Sequence, residues 1–102
     1  MAFVELAAEW DEDNLEHIAL HGIEPQEVEE VVFEDCYPSW IVRNRRQRRR
    51  AEPRLMDFGQ TCGGRYLVVV LAIYRDRGVW RAITAWTMEP QTRRRYQKWR
   101  GN

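Results

Sequence analysis

The 102-residue sequence contains one lysine, two histidines and two cysteines, and its first 42 residues contain no lysine or arginine. Each scarcity excludes something. Cys36 and Cys62 form no CxxC pair, so they read as structural thiols of a reduced, cytoplasmic chain. The longest apolar run, Leu67 to Ile73, is far below the ~18 residues that cross a bilayer. The opening MAFVELAAEWDED lacks a basic leader and turns acidic at once, so no signal peptide is expected. What is present is a packed chain: 44% hydrophobic residues and five tryptophans fit one globular domain spanning 1–102 and not disorder.

The formal net charge is zero, but the charges are segregated. Residues 1–42 carry 12 carboxylates, and residues 43–102 carry all 16 cations against 4 carboxylates. Such asymmetry points to nucleic acid or another charged partner. Lys98 is the single lysine, so the basic half is built from planar guanidinium groups suited to phosphate oxygens.

Residues 3–8 read as a short edge strand or a lead-in. Asp11 suits an N-cap, with Glu12 and Asp13 in the first turn, Leu15, Ile18 and Ala19 at helical spacing, and Gly22 as terminator. Pro25 then opens a second helix bearing Val28, Val31 and Val32. Residues 11–34 are thus a helical hairpin with an acidic outer face. Strands are expected over Ser39–Val42, Leu55–Gln60, Tyr66–Tyr74 and Val79–Trp86, with turns at Cys62-Gly63-Gly64 and Asp76-Arg77-Gly78. Alternation along the last strand puts Val79, Arg81, Ile83 and Ala85 on one face and Trp80, Ala82, Thr84 and Trp86 on the other. Between the first two strands lies RNRRQRRR, with six arginines in eight residues, read as an exposed arm. From Pro90 a final basic helix uses Thr92, Tyr96 and Trp99 as its docking stripe. The fold class is α+β: an N-terminal helical hairpin, a four-stranded antiparallel sheet and a C-terminal basic helix.

Two segments resemble one known family. WDEDNLEHIALHGIEPQEVEEVVFED is similar to the opening of BrnT-type toxins, in which a tryptophan and an acidic residue precede a helix ending in His-Gly and a Glu-rich helix. GRYLVVVLAIYRDRGVWRAITAWTMEPQTRRRYQKW is similar to their closing block, and together the two cover about two thirds of the chain in the right order. The match carries over to Trp10, Asp11, Asn14, His17, His21 and Gly22, and then to Gly64, Arg65, Arg77, Gly78, Arg81, Thr84, Ala85, Arg94 and Tyr96. The resemblance implies a cytoplasmic toxin of a type II toxin–antitoxin pair. It would have a RelE-like fold, act as a metal-independent endoribonuclease without cofactor, and be held by a cognate antitoxin. Four positions depart from the family pattern. Trp86 stands where an arginine usually ends the strand, Leu20 where a basic residue precedes His-Gly, Gln60 where an arginine follows Gly59, and Thr92 where the last helix often has Glu.

Attack of a ribose 2′-hydroxyl on its phosphate needs a base, an acid and cations that hold the charged phosphorane. The expected catalytic set is His17 and His21 as base or acid, Arg81 and Arg94 as clamps, and Tyr96 as an orienting hydroxyl. The two histidines, at i and i+4, also have the spacing of metal ligands, but Ile18-Ala19-Leu20 between them supplies no general base. A purely structural role for both is the third reading. The RNA-binding set is Arg45, Arg46, Arg48, Arg49, Arg50, Arg77 and Arg93, with Trp86 as a stacking platform. The arm has an alternative use, pairing with acidic surface of this molecule or a neighbour. Three hypotheses follow: an endoribonuclease toxin, a catalytically impaired relative that binds nucleic acid or protein, and a homo-oligomer joined through acidic helices and the arginine arm.

Overall fold

The computed structural model describes residues 5–43 and 53–101. The elements run β1 (Ala7–Ala8), α1 (Glu12–Ala19), α2 (Pro25–Val32), β2 (Trp40–Arg43), β3 (Arg54–Gln60), β4 (Tyr66–Tyr74), β5 (Val79–Thr87) and α3 (Pro90–Arg100). The α+β class, the helical pair and the basic C-terminal helix agree with expectation. The sheet does not: among the described residues it has five strands in the order β1-β5-β4-β3-β2, and β1 runs parallel to β5. The Ala7 amide donates to the Gly78 carbonyl and the Glu9 amide to Trp80. β1 thereby satisfies the edge that a four-stranded meander would leave open. Of the two readings of residues 3–8, the short edge strand holds at Ala7–Ala8, and its parallel pairing with β5 is what the four-stranded expectation lacked.

α1 and α2 pack on one face of the sheet. Asp11 caps α1 by accepting from Asp13 and Asn14, while the Asn14 side chain accepts from the Asp11 amide at 2.8 Å. Gly22, at φ +69°, ends the turn in the left-handed conformation as Ile23 donates to Ile18 and Gly22 to Ala19. α2 closes with the same pair of bonds, Asp35 to Glu30 and Glu34 to Val31, but there Glu34 takes the left-handed position at φ 53°. Ile18, Val28, Val31 and Val32 meet Leu67, Val69, Leu71 and Trp80 in the core. α2 crosses so close to β3 that a Cβ on Gly59 would lie 2.7 Å from Val31 Cγ1.

β5 departs from simple alternation. Thr84 pairs with Val70 and Ala82 with Leu71, which leaves Ile83 as an extra residue in a bulge. Beyond it the faces exchange. Trp80, Ala82 and Ala85 all belong to the helix-side core, whereas Trp86 reaches the opposite face. The expected grouping of Trp80 with Trp86 is therefore corrected, because period-2 counting fails across one inserted residue.

The reading of two separate thiols is also corrected. Cys36 and Cys62 form a disulfide, with Cα atoms 5.2 Å apart, across a sequence separation of 26. The fold brings the α2–β2 connection beside the β3–β4 turn, a proximity that spacing alone does not encode. Among the described residues no helix is long and apolar enough to cross a membrane.

Candidate functional site

The face of the sheet opposite α1 and α2 holds an apolar concavity. Strand register sets Trp40, Phe58, Val68 and Trp86 side by side in one row across four strands, with Val42 and Met56 paired in the next row. α3 crosses the end of this face. Its buried Tyr96 donates its hydroxyl to the Pro38 carbonyl, Trp99 stacks on Trp40 at 5.9 Å, and Gln97 donates to the Tyr66 hydroxyl at 3.0 Å. Arg100 donates to Gln60 Oε1 and lies over the Tyr37 ring at 5.1 Å.

Between helix and sheet lies a cleft of about 380 Å³, floored by those apolar side chains and rimmed by Thr92 and Arg95. That volume falls within the range of roughly 300–1,000 Å³ common for small-ligand sites. Among the described residues Arg95 is the one ionisable group in the lining. Trp86, half-buried at the cleft, makes no ring or cation contact among the described residues, whereas Trp40 is sandwiched by Trp99 and Phe58. Arg94, Arg95 and Lys98 have no carboxylate partner among the described residues, and Arg93 lies over the Tyr66 ring at 5.4 Å.

The residues expected to act together are not gathered there. His17 sits on α1, its Nδ1 donating to the Ile83 carbonyl at 3.2 Å, and His21 is exposed at the end of the same helix. Both belong to the helical layer. Arg81 is held by Glu9 at 3.0 Å and Asp11 at 2.9 Å, with its side chain 17% exposed. Its hydrogen bond to Asp11, ahead of its contact with Glu9, holds the guanidinium even more firmly protonated than usual and draws the Asp11 carboxyl below its ordinary range. The clamp expected for phosphate is thus engaged by carboxylates. Burial raises the Tyr96 phenol, and its proton is directed to a backbone carbonyl. Arg77 pairs with Glu9 at 2.9 Å. Arg94 is exposed on α3. Arg45, Arg46, Arg48, Arg49 and Arg50 lie outside the described residues.

Many of the positions shared with the toxin pattern have structural employment instead. Trp10 Nε1 donates to Glu29 at 2.8 Å, Asn14 bonds the Glu9 carbonyl at 2.9 Å, and Arg65 ties Glu27 (2.8 Å) to the Gly22 carbonyl (3.1 Å). The departures cluster differently. Trp86 and Thr92 line the cleft and Gln60 is bound by Arg100 beside it; Leu20 alone is remote, 81% exposed on α1. Sequence reasoning did not single out Arg95, Trp40, Met56 or Phe58 as a site. The available signal was that Thr92 and Arg95 lie four and one residues before Tyr96, which anchors the helix.

One buried group stands apart from the cleft. Asp57 faces the helices between Ile41 and Val69, is 0% exposed, and neither carboxylate oxygen has a hydrogen-bond partner among the described residues. Burial pushes its pKa up to about 7, assisted by the charge of Glu34 and opposed by the nearby Ser39 hydroxyl. That hydroxyl donates to the Val31 carbonyl. Among the described residues, no three His, Cys, Asp or Glu side chains converge where a metal could sit. No protein-family model matches the chain, and no curated protein is detectably similar to it.

Proposed function

We propose that this chain is a BrnT-like protein of toxin–antitoxin type that takes up single-stranded RNA on the open sheet face, as a binding module with impaired cleavage chemistry. One observation carries the reading: among the described residues the cleft offers aromatic surface and a single cation, Arg95, and no side chain able to serve as general acid or base. Three of the four departures from the toxin pattern, Trp86, Thr92 and Gln60, fall at or beside this cleft, while the shared positions largely serve the scaffold. Diffuse positive charge surrounds it, from Arg94 and Lys98 on α3 and from Arg43, where β2 leads toward the arginine-rich segment. The acidic helices cover the reverse face, so a polyanion approaches from one side only. A cognate antitoxin would cover the same cleft, and a cytoplasmic location goes with both partners.

The endoribonuclease form is a second reading, favoured by Arg94, Arg95 and Lys98 of α3, which have no carboxylate partner among the described residues. The deciding experiment incubates the purified chain with labelled single-stranded RNA in EDTA, at low and high salt. Intact RNA, bound at low salt and released at high salt, with binding weakened by Arg95→Glu, is the expected result. Cleavage in EDTA would establish the second reading, and no binding at low salt would end both.

A further inference from the structure

We infer that the Cys36–Cys62 disulfide is a redox latch that holds α3 in place and thereby controls the cleft; the ligand named in its test rests on the RNA reading above. Both cysteines are exposed and within reach of a small reductant. The bond joins the two segments on which α3 sits. Directly after Cys36, Tyr37 lies under Arg100, Pro38 accepts from Tyr96, and Trp40 stacks on Trp99. On either side of Cys62, Gln60 accepts from Arg100, and Tyr66 meets Tyr96 edge-on at 6.1 Å and accepts from Gln97. α3 itself buries one residue fully, Tyr96. A helix so polar has little attachment of its own, and the disulfide adds a covalent link between its two supporting segments to the β2–β3 pairing that ends at Trp40 and Phe58.

Cleft geometry follows from that seat, because Thr92 and Arg95 are carried by α3 while Trp40 belongs to the Cys36 segment. Disulfides in a reducing compartment are usually transient and serve sensing or catalysis. The step needs only a low-molecular-weight thiol. One thiolate attacks a cysteine sulfur, giving a mixed disulfide and one protein thiolate. A second thiol then releases the other cysteine, so two thiols become one small disulfide while two electrons and two protons pass to the protein. Re-formation is the reverse, with a low-molecular-weight disulfide as oxidant. The reduced chain keeps its sheet and helical layer, whose core contacts do not involve α3, and loses the ordered helix that completes the cleft.

The test compares the full chain equilibrated in reduced and in oxidised dithiothreitol, alongside the Cys36→Ser, Cys62→Ser double variant. Amide hydrogen exchange and binding of a fluorescent single-stranded RNA decamer are read in each state. In the reduced chain, amides of α3 are expected to exchange faster while those of β4 keep their protection. RNA affinity is expected to fall about tenfold, and the double variant to match the reduced chain in either buffer. Equal α3 exchange in both states overturns the latch. So does loss of β4 protection on reduction, which would make the bond a staple of the whole fold. If the oxidised chain binds no RNA, the RNA reading fails, and the exchange comparison still decides the latch.

Discussion

Trp80 and Trp86 share strand β5 but stand on opposite faces of the sheet, separated by the bulge at Ile83. Trp80 is fully buried and meets Trp10 and Phe33 edge-on at 6.4 and 5.6 Å; Trp86 lines the cleft. Their alanine variants should therefore fail in different assays. Trp80→Ala removes a core ring and should cost about 3–5 kcal/mol of stability, seen as a large drop in thermal midpoint. Trp86→Ala should change stability by less than ~1 kcal/mol yet weaken RNA binding by about 1–3 kcal/mol, the usual worth of a stacked base. Unchanged RNA affinity in Trp86→Ala would remove stacking from the reading.

Asp57 should make stability fall as pH rises. Its folded pKa of about 7 lies above the unfolded value of 3.8, so between those limits the folded chain holds a proton that the unfolded chain has lost. The contribution is fully present below the unfolded value and is lost as pH rises through 7, with a slope of up to about 1.4 kcal/mol per pH unit. Asp57→Asn removes the ionisation. It should be nearly neutral near pH 4 and stabilising by roughly 2–4 kcal/mol at pH 8, measured by urea unfolding at both values. An equal effect at the two pH values would show that the buried carboxylate does not titrate in this window.

Glu34 holds a backbone conformation that suits glycine, and its charge also disfavours ionisation of Asp57. Glu34→Gly should stabilise the chain by about 1 kcal/mol through relief of the left-handed strain, with an added gain at alkaline pH where Asp57 is charged. Thermal melts at acid and alkaline pH separate the two contributions.

Gly59 is the opposite case, a residue whose missing side chain lets α2 approach β3. A methyl group would lie 2.7 Å from Val31 Cγ1 and 3.2 Å from Ser39 Oγ. Gly59→Ala should cost about 1–3 kcal/mol from overpacking, and Val31→Ala added to it should recover part of that loss. A neutral Gly59→Ala would mean the helix shifts freely.

Arg81 tests whether a residue shared with the toxin pattern is structural. Arg81→Met should lower the thermal midpoint, because Glu9 and Asp11 lose their common partner, and leave RNA affinity unchanged. The Asp11 interaction belongs to the charged carboxylate, so its contribution is present above pH 3.8 and lost as pH falls through the depressed folded value. The Arg81→Met defect should shrink in acid. A large loss of RNA binding instead would return Arg81 to the site.

The helices were legible because local chemistry decides them: Asp11 caps, Gly22 stops and Pro25 restarts the chain within reach of their own hydrogen bonds. β4 was legible for a related reason, since a strand covered on both faces must be apolar throughout. What escaped was nonlocal. The Ile83 bulge is a relation between β5 and β4, the disulfide a relation between two connections, and β1 a pairing across most of the chain. The candidate site escaped for the same cause. Trp40, Phe58, Val68 and Trp86 come from four strands and form a row only once register is fixed, while His17, Arg81 and Tyr96 looked chemical in isolation and prove to be held by neighbours that sequence order hides.

The parallel pairing of Ala7 with Val79 sets the order in which the molecule can be completed. β3, β4 and β5 close as neighbouring hairpins, through short connections. β1 must wait for a strand more than seventy residues away, and the entropy of so long a closure is repaid only by a few bonds. The N-terminal edge is therefore the last part of the sheet to form and the first to open, so a chain still being synthesised carries β1 unpaired until β5 has emerged.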